Sequence, residues 1–302
     1  MTTTTGRGAG AARRFGPSAL LGVPALVFFG IFAILPLGVA LYLSFTKWSG
    51  LGSPQWAGLA NWRALLTDGS TAQSLVLTVK LMILTWFIQT PISLLLGVFL
   101  AGRQRYREIL AVVYFVPLLL SSASIAIAYR NLLDPNFGLF SGTGAGWLHQ
   151  NWLGDPSLTF YVVAFIIAWQ FVPFHTLLYQ GGARQIPQSL YEAAAIDGAG
   201  RVRQFRSITL PQLRYTIVTS STLMLVGSLT YFDVIFILTQ GGPGDATRIL
   251  PLDMYLTGFV GNKMGLASAI AVVLVVFGMI LSLTISKASG FSKMESQLDG
   301  EG

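Results

Sequence analysis

Long apolar runs alternate with short polar segments along most of the chain, and this alternation predicts the structural elements. A membrane-spanning helix needs about 20 apolar residues, and the sequence contains six runs of that size. The predicted spans cover about 19–45, 74–101, 109–130, 158–181, 216–239 and 264–287. Prolines inside several of these runs indicate kinked helices in a bundle, where neighbouring helices satisfy the freed backbone groups.

The polar segment between the fourth and fifth runs predicts helices of its own. Pro187 precedes a helix-forming run with three consecutive alanines, and Ser189 and Glu192 have the spacing of a capping box. Gly198 then interrupts the run before a second short basic helix. Helices this short are unstable in water without a packing surface. Either the hairpin lies on the membrane, with Glu192 acting only as a cap, or it packs on another protein.

The composition supports a polytopic membrane protein. Only 10% of the 302 residues are charged, against about 25% in an average soluble protein. An alternating topology with the N-terminus in the cytoplasm places thirteen of the 19 basic residues inside and five outside, with Lys80 in the second span. Because basic residues favour the cytoplasmic side, we expect both termini and the hairpin in the cytoplasm. The net charge of +7 is therefore a topology signal, and no nucleic-acid partner is expected.

The sequence lacks the motifs of self-contained catalysis. It has no cysteine and only two histidines, and it contains no phosphate-binding G-x-x-x-x-G-K-[ST], no H-E-x-x-H and no G-x-S-x-G. The sequence also lacks a pair of carboxylates inside the predicted spans that could form a proton relay. We therefore expect no catalytic residue, no metal site and no cofactor in this chain, and its energy source must be another molecule.

The terminal segments complete the predicted organisation. Residues 1–17 are expected to be a disordered cytoplasmic tail, 18–73 the first span and an outer loop, and 288–302 a second cytoplasmic tail. The basic N-terminus followed by an apolar run also suggests a signal peptide, but that run is longer than the usual apolar region of about 7–15 residues. Tryptophans cluster in the predicted outer loops, which is typical of an interfacial belt and also compatible with contacts to an extracellular partner.

The hairpin carries a longer pattern. Glu192-Ala193-Ala194, Gly198 and Ile208-Thr209-Leu210-Pro211 match E-A-A-x3-G-x9-I-x-L-P at every defined position. This resembles the cytoplasmic loop motif of permease subunits in binding-protein-dependent ABC importers. The stretches "YLSFTKWSG", "WAGLANWRALL", "LLDPNFGLF" and "YFDVIFILTQGGPGDAT" resemble the carbohydrate-uptake branch, the maltose, lactose and glycerol-3-phosphate type. The similarity extends over roughly residues 20–287.

The resemblance implies an all-α fold: the six-span transmembrane domain of a type I ABC importer, with both termini cytoplasmic. It assigns 74–287 to the ABC transmembrane type-1 domain and 187–211 to a coupling hairpin that docks on an ATPase. The implied partners are a second permease, two ATPase subunits, an extracytoplasmic substrate-binding protein and membrane lipid; ATP and Mg²⁺ would be bound by the ATPase. The implied location is the inner membrane. The ATPase-coupling residues would be Glu192, Ala193, Ala194, Asp197, Gly198, Ala199, Ile208, Leu210 and Pro211.

The solute pathway is less well defined. A transport site near the middle of the bilayer needs inward-facing side chains, and sugars need aromatic faces and hydrogen-bonding groups. The fourth and fifth spans offer both in Gln170, Phe171, Phe174, Gly227, Ser228, Tyr231 and Asp233. Ordinary bundle packing is the alternative for the aromatic and small residues, and an ion pair near the outer interface is the alternative for Asp233. His175 is interpreted as a packed, hydrogen-bonded side chain.

The predicted function is that of an importer permease that forms, with a second permease, the pathway for a sugar or oligosaccharide. Another solute, such as glycerol phosphate, a polyamine or a peptide, is the first alternative, because the loop motif alone permits it. A self-sufficient secondary transporter is the second alternative.

Overall fold

The computed structural model describes residues 22–102, 104–139, 141 and 150–288. The predicted tails 1–17 and 288–302 lie outside these residues, apart from the last helical residue of the final span. The described chain is helical apart from one short strand pair and its connections. The helices are α1 (Val23–Phe29), α2 (Leu35–Ser44), α3 (Ala60–Thr67), α4 (Gly69–Leu100), α5 (Arg105–Leu119), α6 (Ser122–Leu132), α7 (Pro156–Arg184), α8 (Gln188–Ile196), α9 (Arg201–Gln204), α10 (Leu210–Gln212), α11 (Arg214–Gly227), α12 (Asp233–Leu238), α13 (Leu250–Tyr255) and α14 (Met264–Ala288).

Four helices of the described chain are long and apolar enough to cross a membrane: Val23–Ser44, Gly69–Leu100, Pro156–Arg184 and Met264–Lys287. They correspond to the first, second, fourth and sixth predicted spans. The first joins α1 and α2 through a π-helical turn at Gly30–Ile34. Leu35 donates its N–H to the Gly30 carbonyl, five residues back, just before Pro36. The wider turn accommodates the proline ring, which would otherwise meet the preceding turn.

The third predicted span is not one continuous helix. Its two halves, Arg105–Leu119 and Ser122–Leu132, are bent by 94°. Leu120 and Ser121 between them have extended backbone angles, and the Ser121 hydroxyl oxygen accepts a hydrogen bond from the Ser124 N–H at 3.1 Å. The predicted span over about 109–130 is therefore two helices and not one kinked helix, because a serine N-cap starts a new helix inside the apolar run.

The fifth predicted span is also broken. The long helix α11 ends at Gly227, a 3₁₀ turn covers Ser228–Thr230, and α12 begins at Asp233. The Ser228 hydroxyl donates to the Leu225 carbonyl at 2.7 Å, and the Thr230 hydroxyl donates to the Gly227 carbonyl at 2.7 Å. These bonds occupy carbonyls that lose their helical partners where the helix ends. The expected single helix over 216–239 is corrected to two helices joined at a break.

The core is centred on α4 and α7, which pack closely along their C-terminal halves. The Ser93 hydroxyl donates to the Val172 carbonyl at 3.2 Å, and the Gln180 side chain donates to the Leu100 carbonyl at 2.9 Å. A Cβ atom at Gly97 would lie only 2.5 Å from the Tyr179 Cβ. Glycine is therefore required there for the two backbones to approach, as in other membrane helix pairs.

The outer loop after the first span is ordered by a small β-hairpin. Strand β1 (Thr46–Lys47) pairs antiparallel with β2 (Gln55–Trp56). The Asn61 amide donates to the Ser44 and Thr46 carbonyls at 2.8 Å each, and the Gly265 N–H donates to the Trp48 carbonyl at 3.3 Å. These contacts join the outer end of α2 to the start of α14.

Candidate functional site

The segment 187–211 forms the predicted helix, glycine turn and helix. The first helix, α8, ends in two backbone bonds: Ala199 N–H to the Ala194 carbonyl at 2.8 Å and Gly198 N–H to the Ala195 carbonyl at 3.0 Å. This pair of bonds is a Schellman motif, which needs a left-handed residue after the helix. Gly198 provides that residue, with φ of +75°.

The predicted capping box is wrong. The helix α8 begins at Gln188 with Pro187 as its N-cap and without a side-chain capping bond. Ser189 is therefore already inside the first turn, where its hydroxyl cannot cap the helix start. Glu192 is exposed and makes no described ion pair.

Hydrogen bonds within the hairpin join its two helices, and one side of it packs on the membrane-spanning helices. The Tyr191 hydroxyl and the Thr209 hydroxyl lie 2.9 Å apart, and the Gln204 amide donates to the Ala199 carbonyl at 2.9 Å. Phe205 packs against a buried cluster that includes Leu213. A π-helical turn over residues 205–209 precedes Pro211 and leads through α10 to α11, so the hairpin is joined to the fifth span by nearly continuous helix.

The other side of the hairpin is exposed and partly apolar. Ile196 is 87% exposed and Val202 is 68% exposed, and Leu190 is exposed as well. The remaining coupling candidates divide between the two sides. Three of them are half-buried: Ala194, Ala199 and Ile208. The other six are exposed: Glu192, Ala193, Asp197, Gly198, Leu210 and Pro211. An apolar surface at the tip of a polar hairpin is typical of a protein-contact site.

Only part of the predicted solute pathway comes together. Gln170 is buried, and its amide donates to the Ser122 hydroxyl at 2.9 Å while its carbonyl oxygen has no partner in the described chain. The neighbouring Phe171 stacks on Tyr231 with the ring centroids 5.4 Å apart. This places an aromatic pair and a partly unpaired amide beside the breaks in the third and fifth spans.

The other predicted pathway residues are placed differently. Phe174 is 38% exposed and forms a T-shaped pair with the neighbouring His175 ring. Ser228 is buried, and its hydroxyl donates to the Leu225 carbonyl at the end of α11. Gly227 is the last residue of α11, and Asp233 is an exposed first residue of α12. His175 is packed as interpreted, with its Nδ1 3.0 Å from the Ser220 hydroxyl oxygen.

Sequence reasoning missed Gln89 on α4. Its side chain is completely buried, and neither amide atom has a hydrogen-bond partner in the described chain. The Tyr231 hydroxyl lies beside it without hydrogen-bond geometry. A buried unpaired amide is costly, so Gln89 requires an explanation. The signal was available, since buried polar side chains recur along one face of α4: Ser74, Thr78, Thr85, Gln89 and Ser93.

The outer loop after the fifth span is fixed to the same helix. The Leu250 N–H donates to the Thr78 hydroxyl oxygen at 2.8 Å. Arg248 forms a 2.7 Å ion pair with the buried Asp253, and Thr247 donates its hydroxyl to the Gly242 carbonyl at 3.0 Å. The glycine-rich turn is therefore a structured connection between α12 and α13.

A second outer turn follows α6. The Asp134 carboxylate accepts hydrogen bonds from the Phe137 N–H at 2.9 Å and the Asn136 N–H at 2.8 Å. These backbone bonds, with Phe137 contributing most, hold the pKa of Asp134 below its ordinary value of 3.8. Within the described residues, no group of three or more potential metal ligands is present.

The chain matches the family model described as the inner membrane component of binding-protein-dependent transport systems over residues 89–288. A probable ABC transporter permease of Pyrococcus horikoshii is 34% identical over 270 residues, covering 86% of this chain and 91% of the relative. The trehalose/maltose transport system permease of Thermococcus litoralis is 31% identical, covering 88% and 90%. The diacetylchitobiose uptake system permease of Streptomyces coelicolor is 30% identical, covering 94% and 86%.

Solved structures show the same fold. The crystal structure of a bacterial ABC transporter that imports alginate matches with a TM-score of 0.79 at 21% identity, covering 89% of this chain and 93% of that one. The methionine ABC transporter matches less closely, with a TM-score of 0.56 at 15% identity, covering 74% and 98%. With its apolar helices and its coverage by the family model, the chain belongs to the binding-protein-dependent family of inner membrane components and is an ABC importer permease.

Proposed function

We propose that this permease forms, together with a second related permease, the passage for a sugar or oligosaccharide. The observation that carries the proposal is the Phe171–Tyr231 stack beside the buried, incompletely bonded amides of Gln89 and Gln170. Aromatic faces and amides are the groups that recognise sugar rings and hydroxyls. Relatives named for trehalose/maltose, diacetylchitobiose and multiple sugars support this solute class.

The proposed arrangement has six membrane crossings with both termini in the cytoplasm. The third and fifth crossings are the broken ones, and broken helices at membrane depth are tolerated where they line a cavity. The excess of basic residues on the hairpin side supports the orientation.

The proposed energy source is a pair of ATPase subunits that bind ATP and Mg²⁺ and dock on the hairpin 187–211. The exposed Ile196 and Val202 supply apolar contact area, and Glu192 supplies a charge on the same exposed surface. The nearly continuous helix through Pro211 to α11 would carry movement of the hairpin to the break beside Tyr231. On the opposite side, the structured loops around Trp56 and Arg248 are the proposed contact for the solute-delivering binding protein.

The experiment is uptake of labelled sugars by the assembled importer in liposomes. Gln89→Leu and Tyr231→Ala should raise the half-saturating concentration of solute or slow its passage while leaving ATPase association unchanged. Thr222→Val is the matched control, because this hydroxyl bonds only its own helix, to the Val218 carbonyl, and should have no effect. Normal sugar uptake in both pathway variants, or uptake of only polyamines, peptides or glycerol phosphate, would overturn the proposed solute class.

A further inference from the structure

A cavity of about 1340 Å³ lies where the inner ends of the long helices meet the hairpin. Its walls come from the end of α4, the start of α5, the end of α7, and α8 with α9 and the turn that follows them. The apolar part of the wall includes Val98, Ile186 and Phe205. The cavity is separate from the pathway residues and is not needed to explain the hairpin contacts.

The polar part of the wall carries an excess of positive charge. Arg107, Arg184 and Arg201 line the cavity, opposed only by Glu108 among its described acidic lining residues. None of the three arginines has a carboxylate within 4.0 Å in the part of the chain that the structure describes, where the ion pairs belong to Arg248 on the outer side. Three arginines without a carboxylate partner therefore line one space, which favours the binding of an anion there.

Arg107 is held in place for such a role. Its Nη1 donates to the Phe99 carbonyl at 2.5 Å and its Nε donates to the Tyr106 hydroxyl at 3.1 Å. The guanidinium lies 4.5 Å from the Phe99 ring centroid. It also packs over Gly102, where a Cβ atom would collide with it. These contacts fix the position of the Arg107 guanidinium and leave its remaining N–H donors available for a ligand.

The surroundings of Arg107 are suited to lipid. Phe99 and Tyr106 are 40% and 51% exposed, and the first turns of α5 beyond them expose Ile109 and Leu110. The guanidinium thus lies between a basic cavity and an apolar outer surface at the end of a membrane helix. A ligand suited to both surroundings would combine an anionic group with acyl chains.

We propose that this cavity binds the phosphate of an anionic phospholipid head group from the cytoplasmic leaflet. Guanidinium groups bind phosphate oxygens through paired N–H donors, and basic pockets at the cytoplasmic ends of membrane helices suit lipid head groups. The apolar wall then accommodates the first carbons of the acyl chains. Because the cavity borders α8 and α9, a bound lipid also supports the hairpin from the membrane side.

The test measures retention of phosphatidylglycerol against phosphatidylcholine by the intact purified chain, using native mass spectrometry from detergent. We expect selective retention of phosphatidylglycerol. Each of Arg107→Gln and Arg184→Gln should weaken it about fivefold, as expected for about 1 kcal/mol per basic side chain near anionic lipid. Gly102→Ala should weaken it without changing the net charge, because the new methyl displaces the Arg107 guanidinium.

The matched control is Arg203→Gln with Arg206→Gln, which removes two charges from the same hairpin outside this cavity. An equal loss in this control would show general electrostatic attraction and overturn the site. Full displacement of the lipid by inorganic phosphate or glycerol phosphate would assign the cavity to a soluble anion and overturn the lipid assignment. Lipid binding is measured without solute or ATPase, so its failure is distinguishable from failure of the proposed transport function.

Discussion

The most informative perturbation is Gly198→Val in the hairpin turn. Gly198 has φ of +75°, and nothing lies within 4 Å of the position a Cβ would occupy. The substitution therefore introduces no collision with other residues, and its cost arises from the backbone. A residue with a side chain pays about 1–2 kcal/mol in the left-handed conformation, and a β-branched residue is especially disfavoured there.

That energy should appear directly in the affinity for the ATPase. The hairpin helices are too short to be stable alone. The folded hairpin is therefore only marginally stable, and the strain at residue 198 should lower its population directly. A penalty of about 1–2 kcal/mol corresponds to about a fivefold to 30-fold smaller population of the competent hairpin, and the apparent affinity falls by the same factor. Gly198→Asn should lose less, since asparagine tolerates the left-handed region.

Gly200→Val is the matched control. Gly200 has φ of −68° and ψ of 167°, angles open to any residue, and its Cβ position is equally free. The assay is binding of the purified ATPase to the permease in nanodiscs, together with uptake by the assembled importer. Equal affinity in wild type and Gly198→Val, or equal losses in the two valine variants, would refute the reasoning that the left-handed turn holds the docking surface.

Three further predictions concern other parts of the chain. Gly97→Ala should destabilise the protein by about 1–3 kcal/mol, because its Cβ would lie 2.5 Å from the Tyr179 Cβ; thermal unfolding in detergent measures this, and an effect no larger than that of Gly181→Ala, which meets nothing within 4 Å, would contradict it. A single cysteine at the exposed Ala195, in a chain with no native cysteine, should crosslink to the ATPase with a nucleotide-dependent yield, and crosslinks confined to the permease itself would count against docking there. The lowered pKa of Asp134 means that its turn is stabilised above the ordinary carboxyl pKa and loses this support as the pH falls through the lowered folded value; the protection of the Asn136 and Phe137 amides, relative to intrinsic exchange at each pH, should therefore fall in acid, and an Asp134→Asn variant with the same acid dependence of protection would exclude this carboxylate as the cause.

The hairpin could be predicted from sequence because each of its features is local. Three alanines favour helix, and a glycine permits the left-handed turn at Gly198. The error at Ser189 arose because two local signals competed. Pro187 is the N-cap and the helix begins at Gln188, one residue before Ser189, so Ser189 is inside the first turn and cannot cap the helix.

Prolines predicted kinks in several spans, but the complete breaks in the third and fifth spans could not be placed from sequence. Apolar composition indicates that a segment lies in the membrane and does not show whether its helix is continuous. Ser121 and Tyr231 interrupt helices inside runs whose hydrophobicity continues on both sides. Polar residues at helical spacing mark the face of α4 that carries Gln89, but which helix covers that face is set by tertiary packing such as the contact at Gly97. The four uninterrupted spans were predictable since length and composition suffice for them.

The close packing of α4 against α7 has a mechanical consequence. Two side-chain-to-carbonyl bonds and the glycine contact at Gly97 tie these helices at three levels, so they should move as one rigid body. Rotation delivered by the hairpin through α11 must then be absorbed at the nearest interruption, the 3₁₀ turn Ser228–Thr230. That hinge lies next to Tyr231, which stacks on Phe171 of the rigid pair. In the proposed cycle, rotation at this turn would therefore move Tyr231 relative to Phe171, so that movement of the hairpin and opening of the aromatic stack would be coupled.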